Sequence, residues 1–242
     1  MDFAFMGETF TALLAGLPLT LNLAASSVAL GAVVALALAL MRMSGVPPLD
    51  WFARSYVFVF RGTPLLVQIF LIYYGLGQFR PTLQAWGLWV FFREPYWCAL
   101  LALTLNTAAY ASEIIRGGLQ AVPYNQVEAA RACGMSGFLL FRRIVFPIAV
   151  RQALPAYGNE IILMVKATSL ASIVTMMEVT GIAHKLISQT FRAVEIFIVA
   201  GAIYLILNFL VTRVIAALEY WLSPHLRQAP LIQSPPAAAA HV

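Results

Sequence analysis

The sequence predicts an all-α integral membrane protein with about five transmembrane helices. Hydrophobic residues make up 62% of its 242 residues and charged residues only 10%, against about a quarter charged in ordinary globular domains. The mean hydropathy is +0.85, and the apolar residues lie in runs long enough to cross the hydrocarbon. A polar, arginine-bearing stretch, residues 128–147, interrupts these runs. The length fits one membrane domain.

We expect three regions along the chain. Residues 1–16 form a short, mildly acidic lead-in, and residues 17–222 form the transmembrane domain. Residues 223–242 are a tail rich in proline and alanine, a composition typical of a disordered segment.

The first two predicted spans are residues 17–41 and 51–76. Pro64 lies within the second span, and we expect a neighbouring helix to satisfy the backbone carbonyl that it frees. Arg61 lies near the start of the same span, where a long side chain reaches the head groups.

The three remaining predicted spans are residues 96–115, 148–174 and 196–218. Pro155 and Gly158 are expected to break the fourth span. Residues 176–195 are too polar to cross the membrane and indicate an amphipathic segment at the outer face.

The polar stretch between the third and fourth spans predicts two short helices. Residues 126–133 form the first, and Gly134 ends it because glycine accepts the left-handed conformation found after helix C-termini. Residues 136–146 form the second, which is amphipathic, with Phe138 on its apolar side. Pro147 is expected to break it.

The placement of arginine and lysine predicts the orientation. With the N-terminus in the periplasm and the C-terminus in the cytoplasm, ten basic residues lie inside and four outside, which follows the positive-inside rule. This orientation places residues 128–147 in the cytoplasm. The inner set is Arg42, Arg54, Arg61, Arg116, Arg131, Arg142, Arg143, Arg151, Arg213 and Arg227, and the outer set is Arg80, Arg93, Lys185 and Arg192.

The sequence argues against an enzyme. A phosphate-binding loop ends in Gly-Lys-Ser/Thr, and neither Lys166 nor Lys185 has that context. No constellation of nucleophile, base and acid stands out, and no metal-ligand spacing is present. The arginines are dispersed among apolar spans, which argues against nucleic-acid binding. We therefore expect no catalytic residue, metal or cofactor in this chain.

Polar residues in the third span are candidates for a substrate path. Asn106, Tyr110 and Glu113 share one helical face. A carboxylate in a span is costly and usually faces the bundle interior or a water-filled path. For Glu113 the alternative is a salt bridge to Arg116, one helical turn away.

The fourth span contributes two further candidates, Asn159 and Glu160. Glu160 has no basic residue at i+3 or i+4, and it follows the expected break, where irregular backbone often lines a cavity. The alternative is a structural ion pair, for example with Lys166 of another helical turn or subunit.

The cytoplasmic stretch resembles the EAA loop of bacterial ABC importer membrane subunits. Glu128-Ala129-Ala130, Gly134 and the ending Ile144 to Pro147 match the family pattern. In that family the loop carries the coupling helix, which docks in a groove of the ATP-binding subunit. The resemblance implies that Glu128, Ala129, Ala130, Gly134, Phe138 and Pro147 couple to the ATPase. The alternative is an ordinary amphipathic interfacial helix.

Two further motifs resemble the amino-acid branch of these permeases. Residues 61–65, Arg-Gly-Thr-Pro-Leu, match the polar-amino-acid members, and residues 154–170 look like members for basic amino acids and opines. Many amino-acid members have Asp where Ala167 stands, which leaves the role of Lys166 open.

The resemblance implies a type I ABC importer permease of the bacterial inner membrane, with the coupling loop at about residues 117–147. Its expected partners are a dimer of ATP-binding subunits that binds ATP and Mg, and a second permease, identical or paralogous. A periplasmic substrate-binding protein completes the set. The expected substrate is a cationic amino acid or derivative, whose charges Glu113 and Glu160 would complement.

Two other functions stay open from the sequence. A stand-alone secondary transporter or channel for small polar solutes would explain the intramembrane charges, but not the long cytoplasmic loop. A membrane scaffold that docks a partner would explain the loop, but it predicts that Glu113 and Glu160 are dispensable.

Overall fold

The computed structural model describes residues 2–222, and every regular element within them is helical, which confirms the predicted fold class. The helices are α1 Phe3–Leu14, α2 Leu17–Met43, α3 Pro47–Gly62, α4 Leu65–Gln78, α5 Arg80–Ala85, α6 Trp89–Phe92, α7 Pro95–Gln120, α8 Tyr124–Ala132, α9 Gly137–Leu140, a π-helical segment Phe141–Val145, α10 Phe146–Ala167, a 3₁₀ segment Thr168–Val174, α11 Val179–Thr190 and α12 Ala193–Leu222. The predicted tail, residues 223–242, lies outside the described residues.

Within residues 2–222, three helices, α2, α7 and α12, are long and apolar enough to cross a membrane. Two bent pairs raise the number of candidate spans to five if each pair is one span. α3 and α4 make the first pair, and the helix from Gly137 to Val174 makes the second with α11. The bounds of α2, α7 and α12 contain the first, third and fifth spans predicted from hydropathy.

The second predicted span, residues 51–76, consists of two helices, α3 and α4. α3 and α4 meet at an angle of 103°. Thr63 is extended, with φ −113° and ψ 144°, because the ring of Pro64 disfavours the helical conformation in the residue before it. Pro64 also lacks the N–H that would bond the Phe60 carbonyl. Asn106 of α7 donates to that carbonyl at 3.3 Å, so the expected help from a neighbouring helix is confirmed.

The fourth span does not contain the helix breaks that the sequence predicts. The helix runs without interruption from Gly137 to Val174, so Pro147, Pro155 and Gly158 do not break it. Pro147 is the second residue of α10, just after the π-helical segment, and proline is tolerated in the first turn of a helix. Gly158 serves packing instead: an added Cβ would lie 2.5 Å from Cγ2 of Ile215 on α12.

The predicted lead-in contains helix α1. The Asp2 carboxylate caps it by accepting from the Phe5 N–H at 3.1 Å, and Arg192 Nη1 donates to the same side chain at 3.2 Å. These two contacts hold the pKa of Asp2 below its ordinary value. Leu13 is buried in a cluster with α11 and α12, so α1 belongs to the folded bundle.

The centre of the bundle is the packing of α2 along α7. Small residues permit the close approach, as is common between helices in membranes. At Gly31 of α2 an added Cβ would lie only 2.3 Å from Cγ2 of Thr107 on α7. In contrast, Leu205, Phe209 and Val214 of α12 are exposed, as expected for a helix face in contact with lipid.

Candidate functional site

A cleft between α7 and α10 brings together three of the residues predicted for the substrate path. Its volume is about 280 Å³, close to the lower end of the range for small-molecule sites. Asn106, Tyr110 and Glu160 supply its polar lining, and Leu163, Met164 and Ala167 supply the apolar part. Asn159, the neighbour of Glu160, is exposed and does not line the cleft.

Glu160 is the carboxylate of this cleft and is only 7% exposed. Oε1 accepts a hydrogen bond from the Thr107 hydroxyl at 2.8 Å. Within residues 2–222, Oε2 has no hydrogen-bond partner and the side chain forms no ion pair, with Lys166 or with any other cation. One oxygen is therefore anchored, and the other remains available to a ligand in the cleft.

Two buried amide side chains, Gln68 and Asn106, connect the break between α3 and α4 with the wall of the cleft. Gln68 Nε2 donates to the Phe60 carbonyl at 2.9 Å and to the Thr63 carbonyl at 3.1 Å. Its Oε1 accepts from Asn106 Nδ2 at 3.0 Å. Sequence reasoning did not select Gln68 as a site residue. The signal that could have identified it is an amide side chain in an apolar run, one turn after Pro64.

Arg61 is not among the residues that line the cleft, but it contacts one of them, Tyr110. Its guanidinium lies over the Tyr110 ring, 5.0 Å from the centroid, a distance typical of a cation–π contact. The structure places this side chain against α7, and its expected contact with the head groups stays a prediction. Arg61 forms no ion pair with any residue that the structure describes.

Glu113 lies on the same face of α7 but is held by two arginines. Arg116 Nη2 donates to Oε2 at 2.6 Å, and Arg42 of α2 donates to Oε1. The intrahelical salt bridge that the sequence offered as the alternative is therefore present. A place for Glu113 in the substrate path stays a prediction.

The predicted coupling loop, at about residues 117–147 and called the coupling segment from here on, contains helix α8. Gly134 has φ +80°, and the N–H groups of Gly134 and Met135 bond the carbonyls of Arg131 and Ala130 at 2.9 and 3.0 Å. This pair of bonds is a Schellman motif, so the predicted helix end at Gly134 is confirmed.

The coupling segment exposes both polar and apolar side chains. Glu128 and Ala129 are exposed, whereas Ala130 is buried against the protein. Phe138 is 75% exposed, and Tyr124, Leu139 and Phe141 are exposed as well. A depression of about 340 Å³ beside α8 is lined by Pro123, Gln126, Ile148, Arg151 and Gln152. An apolar, partly charged surface of this kind is typical of a docking site for another protein.

A second buried carboxylate, Glu178, was missed by sequence reasoning. It is fully buried and accepts from the Tyr204 hydroxyl at 2.7 Å and from the N–H groups of Thr180 and Gly181 at 2.9 and 2.8 Å. It caps α11 and joins it to α12. A glutamate directly before Val-Thr-Gly at a helix start is the signal that could have indicated this cap.

Comparisons with known proteins agree on one group. The family described as "Binding-protein-dependent transport system inner membrane component" matches residues 27–224. The nopaline transport system permease protein of Agrobacterium fabrum is 57% identical over 241 residues and covers 100% of both chains. The octopine transport system permease protein of Rhizobium meliloti is 62% identical over 227 residues, which are 94% of this chain and 92% of the relative.

A solved structure has the same fold. The protein described as "an amino acid ABC transporter with histidines" matches with a TM-score of 0.80 and 36% sequence identity. The match covers 90% of this chain and 98% of that one.

Proposed function

The chain belongs to the family of binding-protein-dependent transport system inner membrane components, and on this basis we propose that it forms the translocation path for cationic amino acids or their opine derivatives. It is a transmembrane subunit of an ABC importer, a multi-pass protein of the inner membrane, and not an enzyme. A separate ATPase hydrolyses ATP. The family also implies a substrate-binding protein as a partner. The stand-alone transporter and the scaffold are therefore set aside.

We also propose a subunit composition and an orientation in the membrane. Two ATPase subunits bind ATP and Mg, and a second permease, identical or paralogous, completes the path. The N-terminus lies in the periplasm and the C-terminus in the cytoplasm, which places the coupling segment beside the ATPase. The positive-inside distribution of arginine supports this orientation.

The open oxygen of Glu160 carries the proposal about the substrate. A carboxylate that lines a small cleft, with one oxygen anchored by Thr107 and the other without a hydrogen-bond partner among residues 2–222, suits an ammonium or guanidinium group. Asn106 and Tyr110 supply further polar atoms on the same wall. Relatives that share more than half of their residues with this chain are named for the transport of nopaline and octopine.

The coupling segment and the cleft are parts of one helix. Phe138 and Glu160 both lie on the uninterrupted helix from Gly137 to Val174. A movement of the ATPase against Phe138 therefore reaches the Glu160 wall through a rigid element, without a loop between them. We propose that ATP binding drives this helix and its neighbours between two packings, one open to each side.

Glu160→Gln is expected to lower ATP-dependent uptake of labelled arginine and octopine by at least about tenfold, because a charged hydrogen bond to the substrate is replaced by a neutral one. Uptake of labelled glutamine by the same variant should change little. The measurement uses proteoliposomes that hold this chain with its ATPase, a second permease and a binding protein, with and without ATP.

Two variants serve as comparisons for this experiment. Glu8→Gln removes an exposed carboxylate of α1 and should leave uptake unchanged. Glu113→Gln tests the other predicted carboxylate: a loss confined to cationic substrates places it in the path, and an equal loss for all substrates assigns it to the ion pair with Arg42 and Arg116. Wild-type arginine and octopine uptake by Glu160→Gln would contradict the proposed role of the cleft.

A further inference from the structure

We propose that Arg61 binds a carboxylate of the substrate while Glu160 binds its cationic side chain, so that the cleft selects ligands that carry a carboxylate at one end and a cationic group at the other. This inference rests on the proposed function and names the substrate class more narrowly. The two charged side chains belong to different helices, α3 and α10, and both adjoin Tyr110: Arg61 lies over its ring, and Glu160 lines the same cleft.

The position of Arg61 follows from the helix break. α3 ends at Gly62 because Pro64 cannot continue it. Arg61 therefore lies in the last turn of a helix that ends beside the cleft. Gln68 and Asn106 fix this end of α3 through the Phe60 carbonyl, at 2.9 and 3.3 Å.

Arg61 differs from the other arginines of α2, α3 and α7, which are Arg42, Arg54 and Arg116. Arg42 and Arg116 are paired with Glu113, and Arg54 is paired with Asp50 at 2.9 Å. Arg61 has an aromatic face but no carboxylate partner among residues 2–222. Its donors are therefore available to an acceptor that arrives with the ligand.

Among residues 2–222, Arg61 beside the cleft and Glu160 within it form no salt bridge with each other or with another side chain, although their charges lie near enough to attract one another. Charged side chains in a membrane domain are costly, and such residues usually mark a substrate path. A ligand that carries both a carboxylate and a cationic group would satisfy both charges at once. Guanidinium and carboxylate also pair in a bidentate geometry that lysine cannot reproduce.

The substrate class follows from this arrangement. An α-amino acid with a cationic side chain keeps a carboxylate at the end remote from that cation. Opines of the octopine type are arginine derivatives with a carboxyalkyl group on the α-nitrogen, so they would present a second carboxylate to Arg61. A diamine or a decarboxylated amino acid would satisfy Glu160 and leave Arg61 unpaired.

Equilibrium binding to the purified complex of this chain, its partner permease and the ATPase, without the binding protein, tests the inference. The probes are arginine, octopine and agmatine, which share a guanidinium, and agmatine lacks any carboxylate. Wild type should bind arginine and octopine at least about tenfold more tightly than agmatine. Arg61→Gln should remove that preference by weakening arginine and octopine, with the affinity for agmatine unchanged.

The controls separate this inference from the proposed function. Arg213→Gln removes a guanidinium from a similar aromatic contact, 5.6 Å from the Phe209 ring on α12, and should keep the wild-type preference. Glu160→Gln should weaken all three probes, and if it weakens none, the proposed function of the cleft fails. If Arg61→Gln keeps the preference for carboxylates, or weakens agmatine equally, the assignment of Arg61 is overturned while Glu160 stands.

Discussion

Replacing Phe138 with glutamate is expected to abolish ATP-dependent uptake while the transmembrane helices stay folded. Phe138 is 75% exposed on α9 and lies on the surface proposed to meet the ATPase. A large aromatic side chain at the centre of an interface typically contributes at least about 2 kcal/mol to binding. A glutamate there replaces apolar contact with a desolvated charge.

Two measurements check this result. Co-purification of the ATPase with the variant should fall by at least about tenfold, in line with the lost binding energy, and uptake should fall with it. Phe3→Glu is the matched control, since Phe3 is also a phenylalanine, 80% exposed, but lies on α1 outside the coupling segment. Normal assembly and uptake in Phe138→Glu would show that the ATPase docks elsewhere.

Gly31→Ala is expected to destabilise the bundle by roughly 1–3 kcal/mol, the usual cost of an extra methyl in a close-packed core. The added Cβ would lie 2.3 Å from Cγ2 of Thr107. Thr107 is β-branched and almost fully buried, so it has few ways to move aside. Because Thr107 also holds Glu160, the substitution should weaken substrate binding in addition to stability.

Thermal unfolding of the purified chain and arginine binding by its complex measure the two effects. Gly201→Ala provides the comparison, because Gly201 lies in helix α12 with nothing within 4 Å of an added Cβ. That variant should be neutral or up to about 1 kcal/mol more stable, since alanine favours a helix over glycine. Equal unfolding temperatures for the two variants would mean that α2 and α7 are not packed as closely as described.

Hydropathy was sufficient to predict the long helices, because a helix that spans lipid needs about 20 apolar residues. Hydropathy also identified Asn106, Tyr110 and Glu160, since a polar residue within an apolar span is costly and usually faces the bundle interior or a water-filled path. Their spacing along α7 indicated a shared face for Asn106 and Tyr110, and the structure adds Glu160 from α10.

The sequence was less informative where a helix bend or a side-chain contact depended on a neighbouring helix. Pro64 gives a 103° bend and Pro155 gives none that interrupts its helix, although the local chemistry of the two prolines is alike. Arg61 turns toward Tyr110, and Gln68 is drawn into the helix break, because α7 supplies the partners. The spacing of residues along one helix does not indicate which residues of another helix they contact.

The π-helical segment Phe141–Val145 lies between Phe138 of the coupling segment and Glu160 of the cleft, and it contains one residue more than an α-helical turn would need. An α-helix turns by about 100° per residue, so one residue lost from a regular helix rotates everything beyond it by that angle. A π-turn already holds one surplus residue. A deletion within residues 141–145 can therefore restore an ordinary turn and keep Phe138 in phase with Glu160. The same deletion within residues 148–157 would rotate Glu160 away from the cleft.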